Sequence, residues 1–149
     1  MATQWTAGTV SGQVLTAATM NTIGAAWETY TPTLTQGVGV AKTINYARYC
    51  QIQKTVFVQV RVTATGGGLG GTISLSLPTL LPSDQFRTMG VMWIYDASTG
   101  LFYQGVANPG SNVVVGYAQG SNNNMGANSP AITIAAGDQI SFSVMYEIA

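Results

Sequence analysis

Histidine is absent from this 149-residue chain, cysteine occurs once, and only five basic and five acidic side chains are present. Each scarcity removes a class of function. Without histidine the chain lacks the commonest general base and the commonest metal ligand. A single Cys50 cannot close an intrachain disulfide and offers no zinc-type ligand spacing. Its place in an alternating apolar run reads as a small core residue rather than a reactive thiol. Charged residues make up 7% of the chain, against roughly 25% in ordinary soluble proteins. The cations Lys42, Arg48, Lys54, Arg61 and Arg87 cancel the anions Glu28, Asp84, Asp96, Asp138 and Glu147. No basic patch is therefore available, and nucleic acid is not an expected partner. No apolar run approaches the ~20 residues that span a bilayer, so membrane insertion is not expected. The start lacks the basic and apolar regions of a secretory signal. There is no Walker loop, dinucleotide fingerprint or serine elbow, and neither a cofactor nor a metal is expected.

What is present points to a folded, associating protein. Hydrophobic residues are 46% of the chain, with seven Tyr and three Trp, which excludes a disordered composition. The length suits one domain with a terminal appendage, and such a domain buries about 70% of its unfolded surface. The surface is left to Ser, Thr, Asn, Gln and Gly with no net charge. Low charge favours association, so contact with other subunits is expected over a monomer with a neutral polar surface.

Residues 1–27 differ from the rest. From Thr16 the pattern turns briefly helical, with Met20, Ile23 and Trp27 on one stripe. Thr16 or Thr19 offers an N-cap, and Gly24 weakens the helix by about 1 kcal/mol. A helix this short is marginal alone and needs a partner surface. After Trp27 the period becomes 2. Val56, Val58, Val60 and Val62 alternate with Phe57, Gln59, Arg61 and Thr63, and Ile73, Leu75 and Leu77 alternate with Thr72, Ser74 and Ser76. The glycines at 66–71 suggest a hairpin joining these two strands, and Pro78 ends the second. "GVMWIYDA" and "LFYQGVA" flank a turn, "NVVVGYA" follows, and "AITIAAGDQ" turns into "QISFSVMYEIA". Some eight short strands predict an all-β fold, an antiparallel two-sheet jelly-roll-like sandwich over 28–149, preceded by an arm with a short helix over 1–27.

No motif marks an enzyme. Asp84, Asp96 and Asp138 fall at turns, where a carboxylate bonds its own backbone. A glycosidase-like pair of carboxylates remains the enzymatic alternative. Trp93, Tyr95, Phe102, Tyr103 and Tyr117 cluster in the middle strands. Trp93 and Tyr95 share one face, opposite Met92 and Ile94, and one of these faces must be core. Packing or subunit contact is the first use of such aromatics. A ligand face made of Trp93, Tyr95 and Tyr117, stacking on a sugar ring, is the second. The uncharged tract Gln119–Pro130 reads as a mobile loop or an adaptable binding loop.

Two stretches carry a resemblance. "WTAGTVSGQVLTAATMNTIGAAW" is similar to the W-x-x-G-x-x-(V/L)-T-A-A-x-(M/L)-N segment that opens many phage tail-fibre, minor tail and head-fibre proteins. The match lies in Trp5, Gly8, Val14, Leu15, Thr16, Ala17, Ala18, Met20 and Asn21, with "VSGQ" lengthening the spacing. "WETYTPTLTQ", "NYARYCQIQKTVFVQVRVTAT" and "GTISLSLP" resemble a β-rich phage module, through Trp27, Tyr30, Thr31, Pro32, Tyr49, Ile52, Lys54, Val56, Leu77 and Pro78. Gln53 stands where glycine is usual. The resemblance implies a virion appendage made in a host bacterial cytoplasm, usually a homotrimer. Its arm attaches to capsid or tail proteins and its β-domain projects, as a capsid decoration, head fibre or tail-tip adhesin. In the arm, Trp5, Leu15, Met20, Ile23 and Trp27 carry the apolar area for docking, at about 1.5–3 kcal/mol per large side chain buried. A host-surface glycan is the alternative partner, bound by the β-domain as a carbohydrate-binding module.

Overall fold

A computed structural model describes residues 26–52, 54–78, 90–110, 112–120, 123–128 and 130–148. These form strands β1 (Glu28–Thr29), β2 (Leu34–Gln36), β3 (Val38–Val40), β4 (Lys42–Ile52), β5 (Thr55–Ala64), β6 (Ser74–Ser76), β7 (Gly90–Asp96), β8 (Leu101–Pro109), β9 (Val113–Ala118) and β10 (Gln139–Glu147). The described residues contain no helix, and the fold is all-β. The short arm helix expected before Trp27 lies outside the described residues.

The strands do not divide into the two sheets of a jelly-roll sandwich. Antiparallel hydrogen bonding runs unbroken in the order β1-β4-β5-β10-β7-β8-β9-β6-β2-β3. The result is one curled sheet, a half-barrel. Three-residue β6 bridges what would have been the gap, with Leu75 paired to Val114 of β9 on one side and to Leu34 of β2 on the other. Twist accumulates across ten strands and curls the sheet, so one face encloses its own core. Short links tie the two ends of the order together. Residues 30–33 join β1 to β2, and Ala41 joins β3 to β4. The Tyr30 hydroxyl donates to Ser76 O at 3.2 Å, and Thr33 N donates to Ser76 Oγ at 2.8 Å.

The period-2 pattern sets which residues enter the core. Val56, Val58, Val60 and Val62 of β5 are fully buried, as are Met92, Ile94, Ile140 and Tyr146, with Phe142 and Val144 nearly so. The expected hairpin between β5 and β6 does not form. β5 needs a long partner on each side and finds it in β4 and β10, with nine paired positions along β10. The glycine-rich segment instead carries the chain across to the far end of the sheet. There Gln36, fully buried, ties three backbone groups together. Its Nε2 donates to Gly71 O (3.0 Å) and Ile132 O (2.6 Å), and its Oε1 accepts from Ile134 N (2.7 Å). A Cβ on Gly68 would come within 2.2 Å of that Oε1, so the loop fits over the amide only as glycine.

The segment AITI, expected as a strand, makes only a single bridge, Gly126 to Ala131. Its residues Ile132 and Ile134 still point into the core. The polar tract before it is not a free loop either. Met125 is fully buried, and its backbone bonds Gly116 O and Ile73 N at 2.8 and 3.1 Å. Its sulfur sits where side chains on Gly105 or Gly116 would be. A Cβ at either position would approach Met125 Sδ to 2.7 or 2.8 Å.

Two tyrosines make the fold sensitive to alkali. Burial, and then the field of Tyr146, hold the Tyr30 phenol well above its ordinary value of 10.0. The Tyr49 phenol is raised first by its hydrogen bond to Glu28 Oε2, at 2.7 Å. A raised acid contributes stability below the unfolded pKa and loses it as pH rises, because only the unfolded chain ionises there. Urea-unfolding free energy should therefore fall above a pH of about 10, and Tyr30→Phe should flatten the fall while removing one bond worth about 0.5–1.5 kcal/mol at neutral pH. Gln36→Leu strands two buried backbone groups, Ile132 O and Ile134 N, and removes the bond to the more exposed Gly71 O, and the same measurement should show a loss of at least about 2 kcal/mol.

Candidate functional site

Among the described residues, the outer face of the sheet is where exposed aromatics such as Tyr46 and Phe102 gather. Because side chains alternate, every residue paired across strands shares a face with its partner. One cross-strand row runs Tyr46, Arg61, Ser141, Trp93, Gln104. The next runs Arg48, Gln59, Ser143, Val91, Val106, Tyr117. A third carries Thr63, Gln139, Tyr95 and Phe102. Trp93, Tyr95 and Tyr117, expected as a ligand face, thus stand on one side of the sheet, and Met92 and Ile94 take the core side.

The central strand of this face is β10, and its outward residues there are two serines. Their small side chains leave a trough of about 540 Å³. Tyr46, Arg48 and Gln59 line one wall, Val91 and Trp93 the other, with Ser141 and Ser143 between. The size lies within the ~300–1,000 Å³ range of small-ligand sites. Ser141 Oγ donates to Val60 O at 2.8 Å, which fixes the floor to β5.

Arginines and aromatics are interleaved around the trough. The Arg61 guanidinium lies 5.2 Å from the centre of the Trp93 ring and donates through Nη2 to Gln139 Oε1. Phe102 meets Trp93 edge-on, with centroids 5.7 Å apart, and Tyr95 at 4.7 Å. Arg48 lies 4.7 Å from the Trp27 ring, and its Nε and Nη2 both donate to Gln59 Oε1 at 3.1 and 2.8 Å. Trp93 is therefore not a bare stacking platform, since Arg61 occupies its face. Sequence reading picked out Trp93 but not Arg48, Arg61, Gln59 or the serines. Their outward phase in the alternation was visible, but their convergence required the order of the strands.

Of the expected attachment residues, Trp27 is described and is 44% exposed beside Arg48. Trp5, Leu15, Met20 and Ile23 lie outside the described residues, as does Asp84. Cys50 is buried and its thiol is pushed up by that burial. Two carboxylates are committed to turns. Asp96 Oδ1 accepts from Ser98 N and Oγ (2.9 and 2.7 Å) and from Thr99 N (3.3 Å), and the Ser98 hydroxyl bond leads in lowering its pKa. Asp138, buried, accepts from Ala97 N (2.9 Å) and Ala135 N (2.8 Å), pinning the β7–β8 turn to its own. Among the described residues, no three His, Cys, Asp or Glu gather as a metal site.

Asp138→Ala leaves two turn amides without their charged acceptor and should lower stability by about 1.5–3 kcal/mol in urea unfolding. No protein-family model matches the chain, and no significant match was found among curated proteins or solved structures.

Proposed function

We propose that the chain is a non-enzymatic structural protein of a phage virion, anchored by residues 1–27 and displaying the β-domain. One observation carries this reading. A chain with few charges gathers Tyr46, Trp93, Tyr95, Phe102 and Tyr117 on one outer sheet face, by the cross-strand register, and Phe102 is 69% exposed. Such a face serves contact rather than folding. The resemblance of the leading segment to phage attachment segments supplies the other half. Its marginal helix gains stability by docking on capsid or tail proteins or on sister subunits, and a homotrimer repeats that docking around one axis. Asp96 and Asp138 bonding their own turns supports a non-enzymatic role over paired-carboxylate hydrolysis.

A second reading, a carbohydrate-binding module for host-surface glycans, is favoured by the trough between Arg48 and Trp93. Both readings are compatible in a receptor-binding appendage.

The anchor is tested in the full chain with Met20→Asp combined with Ile23→Asp. Incorporation into particles, scored by gel analysis of purified virions, should fall to background while circular dichroism keeps its β signature. Undiminished incorporation would refute the arm.

A further inference from the structure

Resting on the carbohydrate-binding reading, we infer that the outer trough selects an anionic saccharide, held through Arg48 in its wall and through Arg61, which stands beside the trough against Trp93. The charge arrangement is the first reason. Tyr46 pairs with Arg61 and Arg48 with Gln59, so the two arginines are diagonal neighbours on adjacent strands, with backbones about 7–8 Å apart. Two like charges at that spacing repel, and each is hydrogen-bonded by a neutral amide, Gln59 or Gln139. The Arg61 Nε is buried with no hydrogen-bond partner. No acidic residue lines the trough. In a protein with so few charges, this concentrates positive potential at one concave spot.

The arginines are also prepared for an anion. Trp27 and Trp93 each back one guanidinium, which shields it from water on that side and orients it. Charge-assisted bonds from a pre-positioned guanidinium to carboxylate or phosphate oxygens are the strong and specific ones.

The remaining lining names the rest of the ligand. Gln59, Ser143 and the Tyr46 hydroxyl give neutral donors and acceptors suited to hydroxyl groups. Val91 and the Tyr46 ring give short apolar surface for the C–H edges of a sugar. A bare inorganic anion would leave most of the 540 Å³ unfilled. A nucleic-acid strand would need many more cations than this chain has. A sugar bearing a carboxylate or phosphate meets both halves of the site.

Isothermal titration of the full chain tests this with four probes: trigalacturonate, glucose 6-phosphate, maltotriose and inorganic sulfate. Trigalacturonate, glucose 6-phosphate or both should bind, and which of them does identifies the acidic group. Affinity should weaken as salt rises, and Arg48→Gln or Arg61→Gln should each weaken it at least about tenfold. Both variants should keep the wild-type β spectrum. Maltotriose binding as well as the acidic sugars would overturn the charge claim while leaving a carbohydrate module standing. Sulfate binding as tightly as the sugars would overturn the saccharide claim. Binding unchanged in both arginine variants would place the ligand elsewhere and overturn the site. No binding by any probe would remove both this inference and the carbohydrate reading. A switch from oligomer to monomer by light scattering in the arginine variants would assign the face to a second copy of the chain and overturn the inference.

Discussion

The pairing of β10 between β5 and β7 is the constraint on which both faces of the molecule depend. β10 comes last in the described chain yet lies inside the sheet, with nine residues in register along β5 and five along β7. Its alternation sends Ile140, Phe142, Val144 and Tyr146 inward and Ser141 and Ser143 outward. A slip of one residue would exchange the two sets, placing serines in the core and aromatics in the trough. Core and candidate site are thus specified together, by a single register. The burial of large apolar side chains on the inner face fixes the phase of the outer one.

The curl of the sheet follows from how the chain enters and leaves the two ends of the strand order. β1 and β2 are separated by four residues in sequence but sit near opposite ends of the ladder, and β3 and β4 are separated by Ala41 alone. A flat sheet of ten strands could not satisfy either link. Curling brings Tyr30 to Ser76 and lets Leu34 and Leu75 share a core with the valines of β5. Buried polar groups then have to be matched across the closure. Gln36 and Asp138 do so, each accepting from or donating to backbone that the loops leave without ladder partners. Neither side chain is available for chemistry as a result.

Scarcity of charge gives the outer face its meaning. In a surface rich in charge, Arg48 and Arg61 would be unremarkable and screened. Here two of the chain's five cations stand on neighbouring strands, each against an indole and each bonded to an amide. The proposed partner, an anionic and hydroxyl-rich saccharide, is the chemistry that would answer them. The proposed display role and the proposed glycan-binding role are consistent with one another, since a domain that projected from a particle would present its outer face.

Local pattern was enough for the all-β class, for the valine stripe of β5 and for the Asp96–Gly100 turn. Each of these depends on alternation or turn chemistry within a few residues, which the sequence alone determines. Which face of β7 is core, by contrast, was settled only by the burial of Met92 and Ile94. Which strand lies beside which was decided only in three dimensions. The glycine-rich stretch looked like a hairpin loop because proximity in sequence favours local pairing. It became a crossover because β5 gains longer ladders from β4 and β10 than three-residue β6 can offer. The polar tract looked like a loop because one methionine among asparagines gives no periodicity, yet Met125 fills the space left by Gly105 and Gly116. The trough had no sequence signature for the same reason. Its walls come from β4, β5, β7 and β10, and only hydrogen bonds between strands distant along the chain set them side by side.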